Sequence, residues 1–376
     1  MDFEFPDDTL MLRDMLRRFL IKEARPLEMK FFNTGMLERE ERARLRKAIE
    51  QLGLWGILAP EAFGGGGLDL VTTCVIEEEL GGTFVPIEMG EVPSMLYACR
   101  EEQVGEYLEP ALAGERRPVI AAREPGPEGL QPEKWRTTAA PDGEGFRIDG
   151  EKVLPVFQGQ EDFLILLARQ HGVPDPNGLT AFLLDPGMPG LSTSNGSEKR
   201  LLLQDCRVGH ERLLGEPGRA LALAGQEAPR AWIQAGARYV GMVERLIEMG
   251  VEHARDWVSL GAPLAARPAI HRLLAESRVE VESARWLVYH AAWLADSGKQ
   301  ADLRYSAAQV RLGTCTMLQR AVDTITMVFA GPGPSPQIEP QRFVRSTVPT
   351  DALLMAIERA RALIAAEMLG IELKTS

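Results

Sequence analysis

The chain has 376 residues and is 45% hydrophobic, enough to bury the cores of two or three packed layers. A formal net charge of −12 and a pI near 5.1 exclude the basic face that a nucleic-acid surface needs. No apolar run approaches the ~18 residues that span a bilayer, and four scattered cysteines without a CxxC pair exclude that metal-site spacing.

The first residues, MDFEFPDD, are acidic and lack the charged-then-apolar layout of a secretory leader. With free cysteines suited to a reducing compartment, the expectation is a cytoplasmic protein. Up to roughly Pro118 the chain reads as helix. Between Leu37 and Gly53, Leu45, Ala48, Ile49 and Leu52 share one face, and Gly53 is a plausible stop. Asp69 or Thr72 is placed to cap the next helix, which carries Val75, Ile76 and Leu80 and closes at Gly81-Gly82. The glycine run Gly64 to Gly67 invites a phosphate-loop reading, but no Gly-Lys-Ser/Thr follows and no strand precedes it. It reads as a flexible loop.

Pro125, Pro127 and Pro132 mark the crossing into a β module. Asp142-Gly143 and Asp149-Gly150 mark turns, and Phe146 and Ile148 alternate with Arg147 and Asp149. Strands are expected at Phe146 to Asp149, Phe163 to Ala168, Thr180 to Leu184 and Leu201 to Val208. Pro/Gly-rich turns between them predict a small antiparallel sandwich or barrel. After Pro217 the helical period returns. Stripes run through Val240, Val243, Ile247, Val251 and Ala254, then through Leu273, Leu274, Ser277, Val281, Ala284, Leu287, Val288 and Ala291. Four helices, Trp232 to Val258, Ile270 to Ala295, Asp302 to Val328 and Asp351 to Leu369, predict a bundle. The fold class is α+β, mostly α, divided as a helical domain over 1–118, a β domain over 119–225 and a four-helix bundle over 226–376.

The stretch "DGEGFRIDGEKV", the apolar strand after it and "GLTAFLLDPGMPGL" resemble the middle domain of acyl-CoA dehydrogenases. "LAPEAFGGGGLDL" and "IEEELGG" are similar to that family's N-terminal domain. "AREPGPE" looks like its flavin-side loop, and "RYVGMVERLIEMGVEHARDWVSLGAPL" resembles the start of its C-terminal domain. Order and spacing match over nearly the whole chain.

The resemblance implies FAD-dependent α,β-desaturation of an acyl-CoA thioester, with electrons passed to an electron-transfer flavoprotein. A carboxylate takes the α proton and FAD takes the hydride. The family's glutamate base aligns with Thr347; the nearest acid is Asp351, which by position suits the first turn of a helix equally well. A second base position used by some relatives aligns with Ala231, with Glu227 one turn upstream. The flavin contacts map to Ala122, Arg123, Leu154, Val156, Gly331 and Gly333. Arg123 replaces a hydroxyl, Leu154 an aromatic ring and Val156 a second hydroxyl. The arginine that reaches FAD phosphate across a dimer interface aligns with Trp257, "FG" is Leu260-Gly261, and a nearby glutamine is Arg267.

Two further readings follow. One is a catalytically silent subunit of a heteromeric acyl-CoA dehydrogenase, with weak or no FAD binding of its own. The other keeps fold and flavin but changes the reaction, as in flavin monooxygenases or oxidases. Self-association or a second acyl-CoA dehydrogenase-like subunit is the expected partnership, without nucleic acid or membrane. The five histidines show no metal spacing, and no nucleophile elbow supports a hydrolase.

Overall fold

The structure, a computed structural model, describes residues 4–126, 128–129, 131–154, 163–173, 178–194, 199–298, 303–329 and 350–371. The chain forms two compact units, neither continuous in sequence. One gathers Met1–Trp55, Gly67–Met89 and Pro229–Leu373; the other centres on Gly56–Gly66 and Gly90–Ala228.

The first unit is helical. Its N-terminal helices are α1 (Asp7–Phe19), α2 (Glu28–Thr34), α3 (Arg39–Gln51) and α4 (Leu70–Gly81). The α3 stripe buries Leu45 and Ile49, and Gly53 follows with φ +70°. Asp69, rather than Thr72, caps α4: its Oδ1 accepts from the Thr72 amide at 2.7 Å. The bundle helices are α5 (Ala220–Asp256), α6 (Pro268–Asp296), α7 (Leu303–Phe329) and α8 (Thr350–Leu369). One apolar cluster joins Val240, Val243 and Ile247 of α5, Val281 and Val288 of α6, Leu318 and Ile325 of α7 and Ile357 of α8.

Two helix boundaries differ from expectation. Helix α5 starts twelve residues before Trp232 and runs through Pro229, so that proline is accommodated inside the helix instead of ending it. The helix also stops at Asp256, because Val258 pairs in a hairpin.

Three successive glutamates tie α4 to three other helices. Glu77 meets Arg238 of α5 at 2.6 Å, Glu78 meets Arg285 of α6 at 2.9 Å, and Glu79 meets Arg17 of α1 at 2.9 Å. Helices α4 and α5 touch backbone to backbone at this crossing. A Cβ on Gly241 would lie 1.8 Å from the Glu78 carbonyl oxygen, so only glycine fits.

The second unit holds the sheet: β1 (Pro118–Ala121), β2 (Thr138–Asp142), β3 (Gly145–Val153), β4 (Phe163–Gln170), β5 (Leu179–Leu184), β6 (Leu191–Ser194), β7 (Arg200–Gly209) and β8 (Leu213–Leu214). Its order is β6-β7-β3-β2-β4-β5-β8, with β1 also pairing β4. The expected antiparallel pattern holds for most ladders, but β1 and β2 both run parallel to β4. They share one side of β4, β1 against its first half and β2 against its end. The four expected strands are present and longer; β1, β2, β6 and β8 are additional.

Asp142-Gly143 is a turn, but Asp149-Gly150 is not. Strand β3 runs straight through it, and its register with β7 shifts between Ile148 and Gly150, which is a β-bulge. The Asp149 carboxylate accepts the amide of Asp205, itself left-handed at φ +47°. Gly150 is required because a Cβ would fall 2.5 Å from Thr137.

The Gly64–Gly67 run is not an open loop. Gly64 closes a 3-10 turn over Glu61–Phe63, and the amides of Gly65 and Gly66 donate to the carbonyls of Pro60 and Ile57. Those two amides are spent internally and cradle no phosphate.

Candidate functional site

The loop Ala122–Gly129 is built around a buried ion pair. Glu124 and Lys152 are 7% and 0% exposed. Lys152 Nζ lies 3.0 Å from Glu124 Oε1 and 2.9 Å from the Ala122 carbonyl oxygen, and stands 4.0 Å from the centre of the Trp135 ring. The other lone pairs of Glu124 are used as well. Its carboxylate accepts the amides of Arg136 at 2.7 Å and Thr137 at 2.8 Å. Gly129 O takes the Trp135 indole N–H and the Glu124 amide.

Burial pushes the Glu124 carboxyl up, but the amides of Arg136 and Thr137 with Lys152 beside them hold it below the usual carboxylate range. Burial pushes Lys152 down to about 8, against the opposing pull of Glu124. The loop is thereby fixed to the sheet, and β3 adds a further tie from the Val153 amide to the Arg123 carbonyl. Ala122 and Arg123 are half-buried on this frame. Leu154 is 3% exposed and packs in the sheet's own core with Phe146, Ile148 and Leu201.

The hairpin after α5 has the opposite character. Strands β9 (Val258–Ser259) and β10 (Ala262–Pro263) pair across Leu260-Gly261. Both turn residues are left-handed, at φ +53° and +76°, the geometry of a type I′ turn. Leu260 is 93% exposed there, and Val258 and Trp257 are 61% and 38% exposed. Trp257 stacks on His253, with ring centres 5.7 Å apart. Burial holds His253 below its ordinary pKa, in spite of Asp256. The Arg267 guanidinium donates to the Ser259 carbonyl at 2.9 Å, so it is engaged inside the hairpin turn.

The two regions fit FAD unequally. The loop offers backbone tied by hydrogen bonds to the sheet at Ala122, Arg123 and Glu124, of the kind that can meet a planar ring edge. The hairpin carries no cationic side chain from Trp257 to Pro263, where a diphosphate calls for charge-assisted donors.

Asp351 is the second residue of α8 and lies in its first turn. Ala231 is exposed on α5 and has no titratable group. Thr347, Val156, Gly331 and Gly333 lie outside the described residues. What the sequence reading missed is the partner of Glu124. Lys152 shares the inward phase of Phe146, Ile148 and Leu154, and a lysine in that phase is the available signal of a buried pair.

Residues 6–115 match the family model "Acyl-CoA dehydrogenase, N-terminal domain", and residues 230–369 match "Acyl-CoA dehydrogenase, C-terminal domain". The (R)-benzylsuccinyl-CoA dehydrogenase of Thauera aromatica is 29% identical over 366 residues, covering 89% of this chain and 88% of its own. The mitochondrial short-chain specific acyl-CoA dehydrogenase of Bos taurus is 26% identical, covering 97% of this chain and 91% of its own. A solved structure described as a putative acyl-CoA dehydrogenase from Mycobacterium abscessus superposes with a TM-score of 0.88 at 20% identity. It covers 98% of this chain and 99% of its own, a likeness of fold.

Proposed function

The chain belongs to the acyl-CoA dehydrogenase family of oxidoreductases, whose cofactor is FAD, and on that premise we propose that it desaturates an acyl-CoA thioester between its α and β carbons. Bound FAD supplies hydride acceptance, and an electron-transfer flavoprotein takes the electrons onward. The observation that carries this reading is the loop Ala122–Gly129, held by Glu124 and Lys152 in the segment that resembles the family's ring-side loop. Ala122, Arg123, Val156, Gly331 and Gly333 are the proposed cofactor contacts; Leu154, packed in the sheet's own core, is left out of that set. Asp351 is the proposed base for the α proton. The division into 1–118, 119–225 and 226–376 is proposed as the family's three domains, and a cytoplasmic setting fits the four free cysteines. No helix among the described residues is long and apolar enough to cross a membrane.

The second reading is a silent subunit that assembles with an intact relative. It is favoured by Thr347 and Ala231, neither of which can accept the α proton, and by Trp257 in place of a phosphate-binding cation. One experiment separates the two. The purified protein is titrated with FAD, followed by absorption, and then mixed anaerobically with acyl-CoA thioesters of graded length. About one flavin per chain, bleached by a thioester in the wild type but not in Asp351→Asn, is the expected outcome. A general base contributes roughly 10²–10⁴-fold in rate, so Thr347→Glu should raise bleaching in a chain that binds flavin but reacts slowly. A colourless protein that takes up no FAD sinks the stand-alone reading.

A further inference from the structure

The loop Ala122–Gly129 carries three charged side chains, Arg123, Glu124 and Glu128, and both acids are matched by lysines. Glu124 is held by Lys152 at 3.0 Å, and Glu128 by Lys134 at 2.7 Å. Each of those pairs cancels in charge, so the charge that the loop adds to its surroundings is the positive one of Arg123. A guanidinium stays protonated at any working pH. Arg123 is also half-buried, where a charge is screened less than in bulk water.

The backbone that carries it is fixed on both sides. The Ala122 carbonyl accepts Lys152 Nζ at 2.9 Å, and the Arg123 carbonyl accepts the Val153 amide at 2.8 Å. The Glu124 amide donates to the Gly129 carbonyl at 3.0 Å. Three successive residues are thus tied down. A charge set in place beforehand stabilises an opposite charge without reorganising as that charge forms.

The resemblance puts a hydroxyl at this position, and a hydroxyl is neutral. Hydride acceptance, the chemistry FAD supplies when bound, moves two electrons and one proton onto a neutral ring and leaves one negative charge there. The α proton of the thioester goes to the base.

We propose, on the reading that Ala122 and Arg123 contact the flavin, that Arg123 stabilises the negative charge of the reduced ring. The guanidinium thereby makes this chain a stronger hydride acceptor than the hydroxyl in its place would. Glu124 cannot cancel the effect, because its carboxylate is spent on Lys152 and on the amides of Arg136 and Thr137.

The test uses sulfite, a nucleophile that adds to an oxidised flavin ring and leaves negative charge on it. The FAD-loaded full chain is titrated with sulfite and followed by loss of flavin absorption. The wild type should bleach. Arg123→Gln and Arg123→Thr should bind sulfite roughly tenfold more weakly or worse, the scale of one charge-assisted contact, whereas Arg123→Lys should keep most of the affinity. The midpoint potential should fall by about 30 mV in the two neutral variants, which is that tenfold change for a two-electron couple. Arg136→Gln removes an exposed cation from the same frame but keeps the amide that Glu124 accepts. It should move neither value.

A loaded wild type that sulfite does not bleach overturns the inference alone, as do neutral variants with unmoved affinity and potential. Weaker binding of coenzyme A in Arg123→Gln, with sulfite affinity unmoved, overturns it by assigning the cation to a phosphate. A chain that takes up no FAD overturns the flavin-contact reading together with the inference.

Discussion

At the loop Ala122–Gly129 the ion pair Glu124–Lys152 lies inside; in the hairpin Trp257–Pro263 the apolar side chains of Val258 and Leu260 lie outside. Glu124 and Lys152 are removed from water and saturated with partners, whereas Leu260 is almost wholly in water on a left-handed backbone. The resemblance assigns flavin contacts to both regions, and they depart from the family pattern to different depths. Within the loop the structural pair is kept and the side chain beside it, Arg123, is changed. In the hairpin the resemblance sets Trp257 where the family has a cation. Substituting one member of a buried pair strands the other charge, whereas an exposed tip accepts almost any side chain at small cost. Retention of Glu124 is therefore evidence about stability before it is evidence about cofactor binding.

The sharpest way to break that contrast is to remove the pair. Glu124→Ala or Lys152→Ala should destabilise the protein by about 3–5 kcal/mol, the cost of leaving one buried charge unpaired, measured by urea unfolding followed by circular dichroism. A loss below about 1 kcal/mol would show the pair to be incidental. The same tie should respond to acid. The Glu124 carboxyl is held below its unfolded value, so its stabilisation is present above the ordinary carboxylate range and is lost as pH falls through the folded value. Unfolding free energy should decline there in the wild type, with a shallower decline in Glu124→Gln.

A smaller effect is expected at the hairpin. Trp257→Arg places a guanidinium where the resemblance puts the phosphate contact. A new charge-assisted hydrogen bond is worth about 1.5–3 kcal/mol, so FAD retention through gel filtration should rise by roughly tenfold or more. Unchanged retention would mean that the hairpin does not meet the diphosphate.

The smallest effect is at the turn. Leu260→Asn supplies the residue that a type I′ turn prefers and relieves a left-handed leucine, which costs roughly 1–2 kcal/mol. The variant should unfold at slightly higher urea than the wild type. A destabilised Leu260→Asn would show instead that the exposed leucine is covered by something in solution.

Much of this molecule was readable along the chain. The helical stripes of α3, α5, α6 and α7, the Asp69 cap and the core strands β3, β4, β5 and β7 follow from periods of 3.6 and 2.0, because one-sided burial imposes them on the residues themselves. Other features depend on residues far apart in sequence. Asp149-Gly150 looked like a turn because Asp-Gly commonly makes one, and only the approach of Thr137 and the Asp205 amide turned it into a bulge. Strand β2 was hidden because its burial comes from β3 and β4 on either side. The run Glu77-Glu78-Glu79 became a hub only through three arginines brought from three helices. Local sequence sets the period, the caps and the available chemistry; tertiary structure decides which polar groups lose their water, and so which must find each other.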